Sequence, residues 1–123
     1  MRSWCANNVD YDAFAIEWEA AWNAHDLNRI LAHYAEDVVF RSLKAMRLVG
    51  HGTLHGKPAL RAYWAKALAA QPDLSFVVVD VFHGHGMMVL TYRNHRDVLA
   101  AETLRFGAEG LIVSASACHV PPR

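Results

Sequence analysis

No excess of charge, no long apolar run and no cysteine framework mark this chain. Twelve basic and twelve acidic side chains cancel within 123 residues, so no long-range field gathers phosphate backbones or an anionic bilayer, and no basic run appears. Neither nucleic acid nor a membrane is an expected partner. No apolar stretch reaches spanning length, and the opening residues MRSWCANNVD lack the apolar core of a signal peptide. The expectation is a soluble cytoplasmic protein. Cysteines are scarce: Cys5 and Cys118 stand near opposite ends without metal-ligand spacing, which reads as two free thiols, with a bridge between the tails as the alternative. Repeats and low-complexity tracts are missing too, and the length allows one core but not two.

Motifs for several chemistries are also lacking. His51 and His55 lie four apart in a glycine-rich stretch and His83 and His85 two apart before a strand, but neither pair has a cysteine or carboxylate beside it to complete a metal site. No metal is expected. Gly50, Gly52 and Gly56 have no strand before them and no Lys-Ser/Thr after them, so they do not form a phosphate loop. Nor does any serine motif support a hydrolase triad. No cofactor is predicted.

What the chain does have is periodicity. Phe14, Trp18, Ala21 and Trp22 recur at helical spacing, and Leu27, Ile30, Leu31 and Tyr34 do so again after the corner Asn23-Ala24-His25-Asp26. Two helices on one core follow, with Asp26 as N-cap of the second and Asp10, flanked by Val9 and Phe14, as N-cap of the first. Val38, Phe40 and Ser42 then alternate at strand spacing. Residues 43–56 show no clean period and read as a long loop holding at most one short strand, bordering a pocket. Pro58 opens a third helix whose buried stripe is Leu60, Tyr63, Trp64, Ala67 and Leu68. Four strands complete the chain, at 75–82, 87–95, 98–106 and 111–117, joined tightly enough to make an antiparallel meander. Helices first and strands after point to an α+β fold: a cone-shaped, curved, mostly antiparallel sheet against three helices of the N-terminal half. Residues 1–10 are expected to be a flexible arm, 11–119 a single domain and 120–123 a tail.

The segments WNAHDLNRILAHYAEDVVF, GTLHGKPALRAYW and ETLRFGAEGLIVSASA, in that order, resemble the nuclear transport factor 2 superfamily, in particular its SnoaL-like and ketosteroid-isomerase-like branch. The resemblance runs from about Tyr11 to Cys118. It implies the cystatin-like α+β cone, an apolar cavity at the wide end and a homodimer through the outer sheet face. It also argues against ketosteroid isomerase activity. Where those enzymes carry the tyrosine that donates to the oxyanion, this chain has Trp18, and where they carry the proton-moving aspartate it has Ser42. A serine hydroxyl is no base near neutral pH without another group to take its proton. Tyr34 and Trp64 match the two supporting aromatic positions, and Glu102 matches the protonated carboxylic acid, which the isomerases keep neutral in an apolar site.

Alternation supports an inward Glu102 independently, since Val98, Ala100, Leu104 and Phe106 share its face while Thr103 and Arg105 do not. A carboxyl among such neighbours must find a partner or take up a proton. His119, in step with Ala115 and Ala117 on the last strand, is the predicted partner; the other reading leaves it on a fraying tail before Val120-Pro121-Pro122. Glu102, His119 and Tyr34 are thus the candidate catalytic residues. Trp18, Trp22, Phe40, Ser42, Tyr63, Trp64, Met88, Leu90, Tyr92, Leu104, Ala115 and Ala117 are the expected walls of a large aromatic cavity for a small hydrophobic or cyclic molecule. Two functions remain open: an acid-base enzyme of SnoaL-like type, without cofactor, and a non-catalytic ligand-binding or dimeric association module.

Overall fold

The computed structural model describes residues 9–121. The expected N-terminal arm and Cys5 therefore lie almost wholly outside the described residues. Helix α1, Tyr11–Asn23, starts where the Asp10 carboxylate accepts from the Ala13 N–H at 3.0 Å. It buries Tyr11, Phe14, Ala15, Trp18, Ala21 and Trp22, the stripe that the three-and-four spacing defines. The chain then corners through His25, which takes a positive φ of 55°, into α2, Leu27–Leu31, capped by Asp26 on the Arg29 N–H at 3.1 Å.

The second helix is shorter than its apolar spacing predicts. Tyr34 is not on it but opens strand β1, Tyr34–Ser42. The Ile112 N–H donates to the His33 carbonyl at 2.9 Å and Tyr34 pairs with Ile112, so a sheet contact from the far end of the chain takes the residue that the helical period also fits. The stretch after β1 holds not only the short strand β2, Thr53–His55, but a further helix, α3, Leu43–Val49. This helix buries only Ala45 and leaves Leu43 and Met46 exposed, which is why it has no legible stripe. It ends at Gly50, whose φ of 83° is cheap only without a Cβ. Helix α4, Lys57–Ala70, follows with Pro58 in its first turn.

Strands β3, Phe76–His83, β4, Met87–Asn94, β5, Leu99–Phe106, and β6, Ile112–His119, form the meander. The six-stranded order is β2-β1-β6-β5-β4-β3, antiparallel throughout except between β1 and β6. Register shifts in β1–β6, β3–β4 and β5–β6 bend the sheet, and the helices pack into its concave face. Helix α1 also serves the sheet's free edge: Asn23 exchanges two hydrogen bonds with the Phe76 backbone, and the Glu19 carboxylate accepts from the Val78 N–H at 2.7 Å. Among the described residues no helix is long and apolar enough to cross a membrane.

Candidate functional site

Glu102 sits mid-strand in β5, opposite Leu90 of β4 and Ala117 of β6. Its side chain is only 5% exposed and its neighbours on the same face, Ala100, Leu104 and Phe106, are buried as well. One carboxyl oxygen accepts from the Tyr92 hydroxyl at 3.2 Å; the other, Oε1, has no protein partner. Burial pushes the carboxyl up to about 7, against the opposing effect of the Tyr92 hydrogen bond. Near neutral pH the group is therefore present both as acid and as carboxylate.

Tyrosines gather around it. Burial, followed by the Glu102 charge, raises Tyr34 and Tyr92 well above the usual phenol range, and Tyr63 is raised as well, first by burial. All three stay protonated donors. The Tyr34 hydroxyl has no hydrogen-bond partner; the Trp18 indole N–H comes near enough to favour its ionised form but not into bonding geometry, and Trp18 and Trp22 also keep unspent N–H groups. Buried donors without acceptors cost stability in a folded protein, and a ligand oxygen is one way to satisfy them.

His119 is not the partner of Glu102. Tyr92 and His119 both pair with Ala100, one from each neighbouring strand, so both are diagonal neighbours of Glu102. The hydroxyl of Tyr92 reaches the carboxyl, whereas His119 stays at the sheet's open end. Nor is His119 on a fraying tail: it ends β6, and the ladder continues one residue further, with the Val120 N–H donating to the Leu99 carbonyl at 3.0 Å. Burial first, then the Lys44 ammonium, holds its imidazole down at about 4, so it is neutral at physiological pH.

The chamber beside Glu102 is small, about 60 Å³. Trp22, Phe40, Ser42, Tyr63, Trp64, Tyr92, Ala117 and His119 line it together with Glu102. Trp18, Tyr34, Met88, Leu90, Leu104 and Ala115 do not; they are packed deeper in the core. The large cavity expected from the aromatic content is filled by the aromatics themselves, since Trp18 stacks on Phe76 at 5.3 Å and Trp64 meets Trp22, Tyr34 and Phe40 at 5.0, 5.1 and 5.5 Å. Ser42, Lys44, Gln71, Asn94, Ala117 and His119 border both this chamber and a wide outer basin of about 1170 Å³. Of these, Lys44, Gln71 and Asn94 escape a reading of the sequence for walls. Asn94 has a signal, because it continues the inward alternation of Met88, Leu90 and Tyr92; Lys44 has none, lying on the helix without a stripe.

Ser42 has a structural task. Its Oγ accepts from the Ala45 N–H at 3.2 Å and so caps α3. Ser42→Ala is expected to cost about 1 kcal/mol of folding stability by loss of that cap, read from the urea midpoint. Unchanged stability would mean that the cap is dispensable. Among the described residues no three His, Cys, Asp or Glu side chains converge to hold a metal ion.

Comparison with known proteins shows the chain's family and agrees with its fold. The family model described as "SnoaL-like domain" matches residues 15–115. A SnoaL-like protein of unknown function from Burkholderia thailandensis is 37% identical, with 90% of this chain and 95% of that one covered and a TM-score of 0.85. A protein with a cystatin-like fold from Methylobium petroleophilum is 16% identical over 92% and 77% of the two chains, TM-score 0.73. An NTF2-like protein from Cytophaga hutchinsonii is 15% identical over 98% and 96%, TM-score 0.70. The last two share the fold alone. No curated protein matches the chain in sequence.

Proposed function

The chain belongs to the SnoaL-like family of the nuclear transport factor 2-like superfamily, and from that premise we propose that it binds a small hydrophobic or cyclic molecule in the basin, with the reacting edge entering the chamber, and moves a proton through Glu102. The observation that carries this reading is the carboxyl itself: buried, raised to about 7, held on one oxygen by Tyr92, and unpartnered on the other beside a chamber. A general base works best when its pKa lies near the working pH. In the proposed step the Glu102 carboxylate takes a proton from a carbon next to a ring carbonyl, leaving an enolate and a neutral acid, and the acid returns the proton to the same or a conjugated carbon. The Tyr63 hydroxyl, on the chamber wall and kept protonated by burial, is the proposed donor to the developing oxyanion, with Tyr34 packed behind that wall. His119, neutral at the mouth, is proposed to hydrogen-bond the ligand there without taking up a proton.

The test uses ring ketones shown to bind by saturation-transfer NMR, incubated in deuterated water. Exchange at the carbon next to the carbonyl is expected, with Glu102→Gln slowing it by roughly 100-fold or more. A ketone that binds without exchanging, or exchange that survives the substitution, would sink the catalytic reading.

Those results would leave the association module, which one observation favours. On edge strand β3 the side chains of Val77, Val79 and Phe82 are 63%, 48% and 55% exposed. In that reading the outer sheet face joins two copies, and sedimentation would show a dimer that Phe82→Lys dissociates.

A further inference from the structure

The outer basin is charged in a way the whole chain is not. Five cations line it, Arg41, Lys44, Arg47, Arg93 and Arg96, against one carboxylate, Asp97, although acids and bases are equal in number overall. They come from three separate places: Arg41 from β1, Lys44 and Arg47 one turn apart on α3, and Arg93 and Arg96 from the end of β4 and the turn after it. The one carboxylate is already engaged, since Asp97 Oδ1 lies 3.5 Å from the Arg93 guanidinium. Among the described residues no carboxylate forms an ion pair with the other four.

Crowding of like charge is strongest at Lys44. It is half-buried, and its charged form is disfavoured first by that burial and then by Arg96 and Arg47. Without a counter-charge such a placement costs stability, and an anion seated among the three offsets the cost. Lys44 also borders the inner chamber, together with Ser42 and His119. A group held at Lys44 therefore leaves the rest of its molecule at the chamber mouth.

We propose that this rim is an anion subsite, and that the ring compound taken at the chamber carries an acidic group, a carboxylate, sulfonate or phosphate, bound by Lys44, Arg47 and Arg96. The inference rests on the chamber being a ligand site and adds the chemical class of the ligand. A small molecule fits better than a nucleic acid, because the cations ring a concave basin of about 1170 Å³ instead of forming a stripe that tracks a backbone. Arg47 and Arg96 differ in origin as well as position, so a guanidinium contact from each fixes an acidic group from two sides.

The test uses two probes with one ring system, 8-anilino-1-naphthalenesulfonate and its uncharged counterpart N-phenyl-1-naphthylamine, titrated by fluorescence. The sulfonate is expected to bind about tenfold more tightly or better, and its advantage should shrink as salt is raised. Arg47→Gln and Arg96→Gln should each weaken the sulfonate by roughly fivefold to tenfold, with the uncharged probe unaffected. Both side chains are exposed and lie on different elements, so damage to α3 alone cannot imitate the pair; circular dichroism melts check each fold. Equal binding of the two probes, or variants that weaken both alike, would overturn the anion subsite while leaving the chamber reading intact. Variants that change the sedimentation coefficient but not sulfonate affinity would give the patch to a second copy and overturn it too. If neither probe binds, the chamber reading and the subsite fall together.

Discussion

Replacing Glu102 by glutamine is expected to make the protein more stable at pH 8, by up to about 3 kcal/mol, and to change little near pH 4.5. The folded-state value of about 7 lies above the ordinary carboxyl value of 4.5, because burial disfavours the charge. Between those two values the folded protein holds a proton that the unfolded chain has released. The stability contributed by neutral Glu102 is therefore complete below pH 4.5, falls by about 1.4 kcal/mol per pH unit through the window and is fully lost above 7. Glutamine has no proton to lose and removes the slope. His119 acts in the opposite direction: its imidazole is depressed from 6.5 to about 4, so stability is lost as pH falls through that range. It is half-exposed, and solvent screening makes its effect the smaller of the two. Urea unfolding from pH 4.5 to 8.5 of the wild type, Glu102→Gln, His119→Gln and the double variant separates them, the double measuring any coupling between diagonal neighbours. A Glu102→Gln difference that does not vary with pH would show that the carboxyl is not perturbed.

Trp64→Ala is expected to cost about 3–5 kcal/mol, the usual range for deleting a buried tryptophan side chain. Trp64 is 3% exposed and its ring is in contact with three others, so collapse of those neighbours into the gap would require all of them to turn. For a domain of this size that is a fall in Tm of roughly 10 °C or more. The gap would enlarge the chamber, and indole added in millimolar amounts should restore part of the loss by binding the folded state alone. The wild-type chamber, at about 60 Å³, admits only part of a ring, so its response should be the smaller. Trp64→Leu provides a milder variant if the alanine form does not fold. A loss below about 1 kcal/mol, or no response to indole, would contradict the view that aromatic packing sets the chamber's size.

The pattern of what was legible follows from range. Helices α1 and α4 and the four-strand meander could be read from the chain because a buried face repeats every three to four residues in one case and every two in the other. The same local rule put Glu102 among Ala100, Leu104 and Phe106. It failed where local patterns are silent or ambiguous. Tyr34 suits the helical period of α2, yet pairs with Ile112 across the sheet. Helix α3 buries one alanine and so has no period to read.

By itself, then, the sequence determined the α+β order of elements, the faces of the longer ones and the placement of one acidic side chain on an apolar strand face. Only the tertiary structure decided that Tyr92 and not His119 holds the carboxyl, that ring packing shrinks the chamber to about 60 Å³, and that cations from β1, α3 and the β4–β5 turn share one basin. The physical reason is that side-chain periodicity is a property of neighbouring residues, while a hydrogen-bond partner, a volume and a charge cluster depend on distances between elements far apart in the chain.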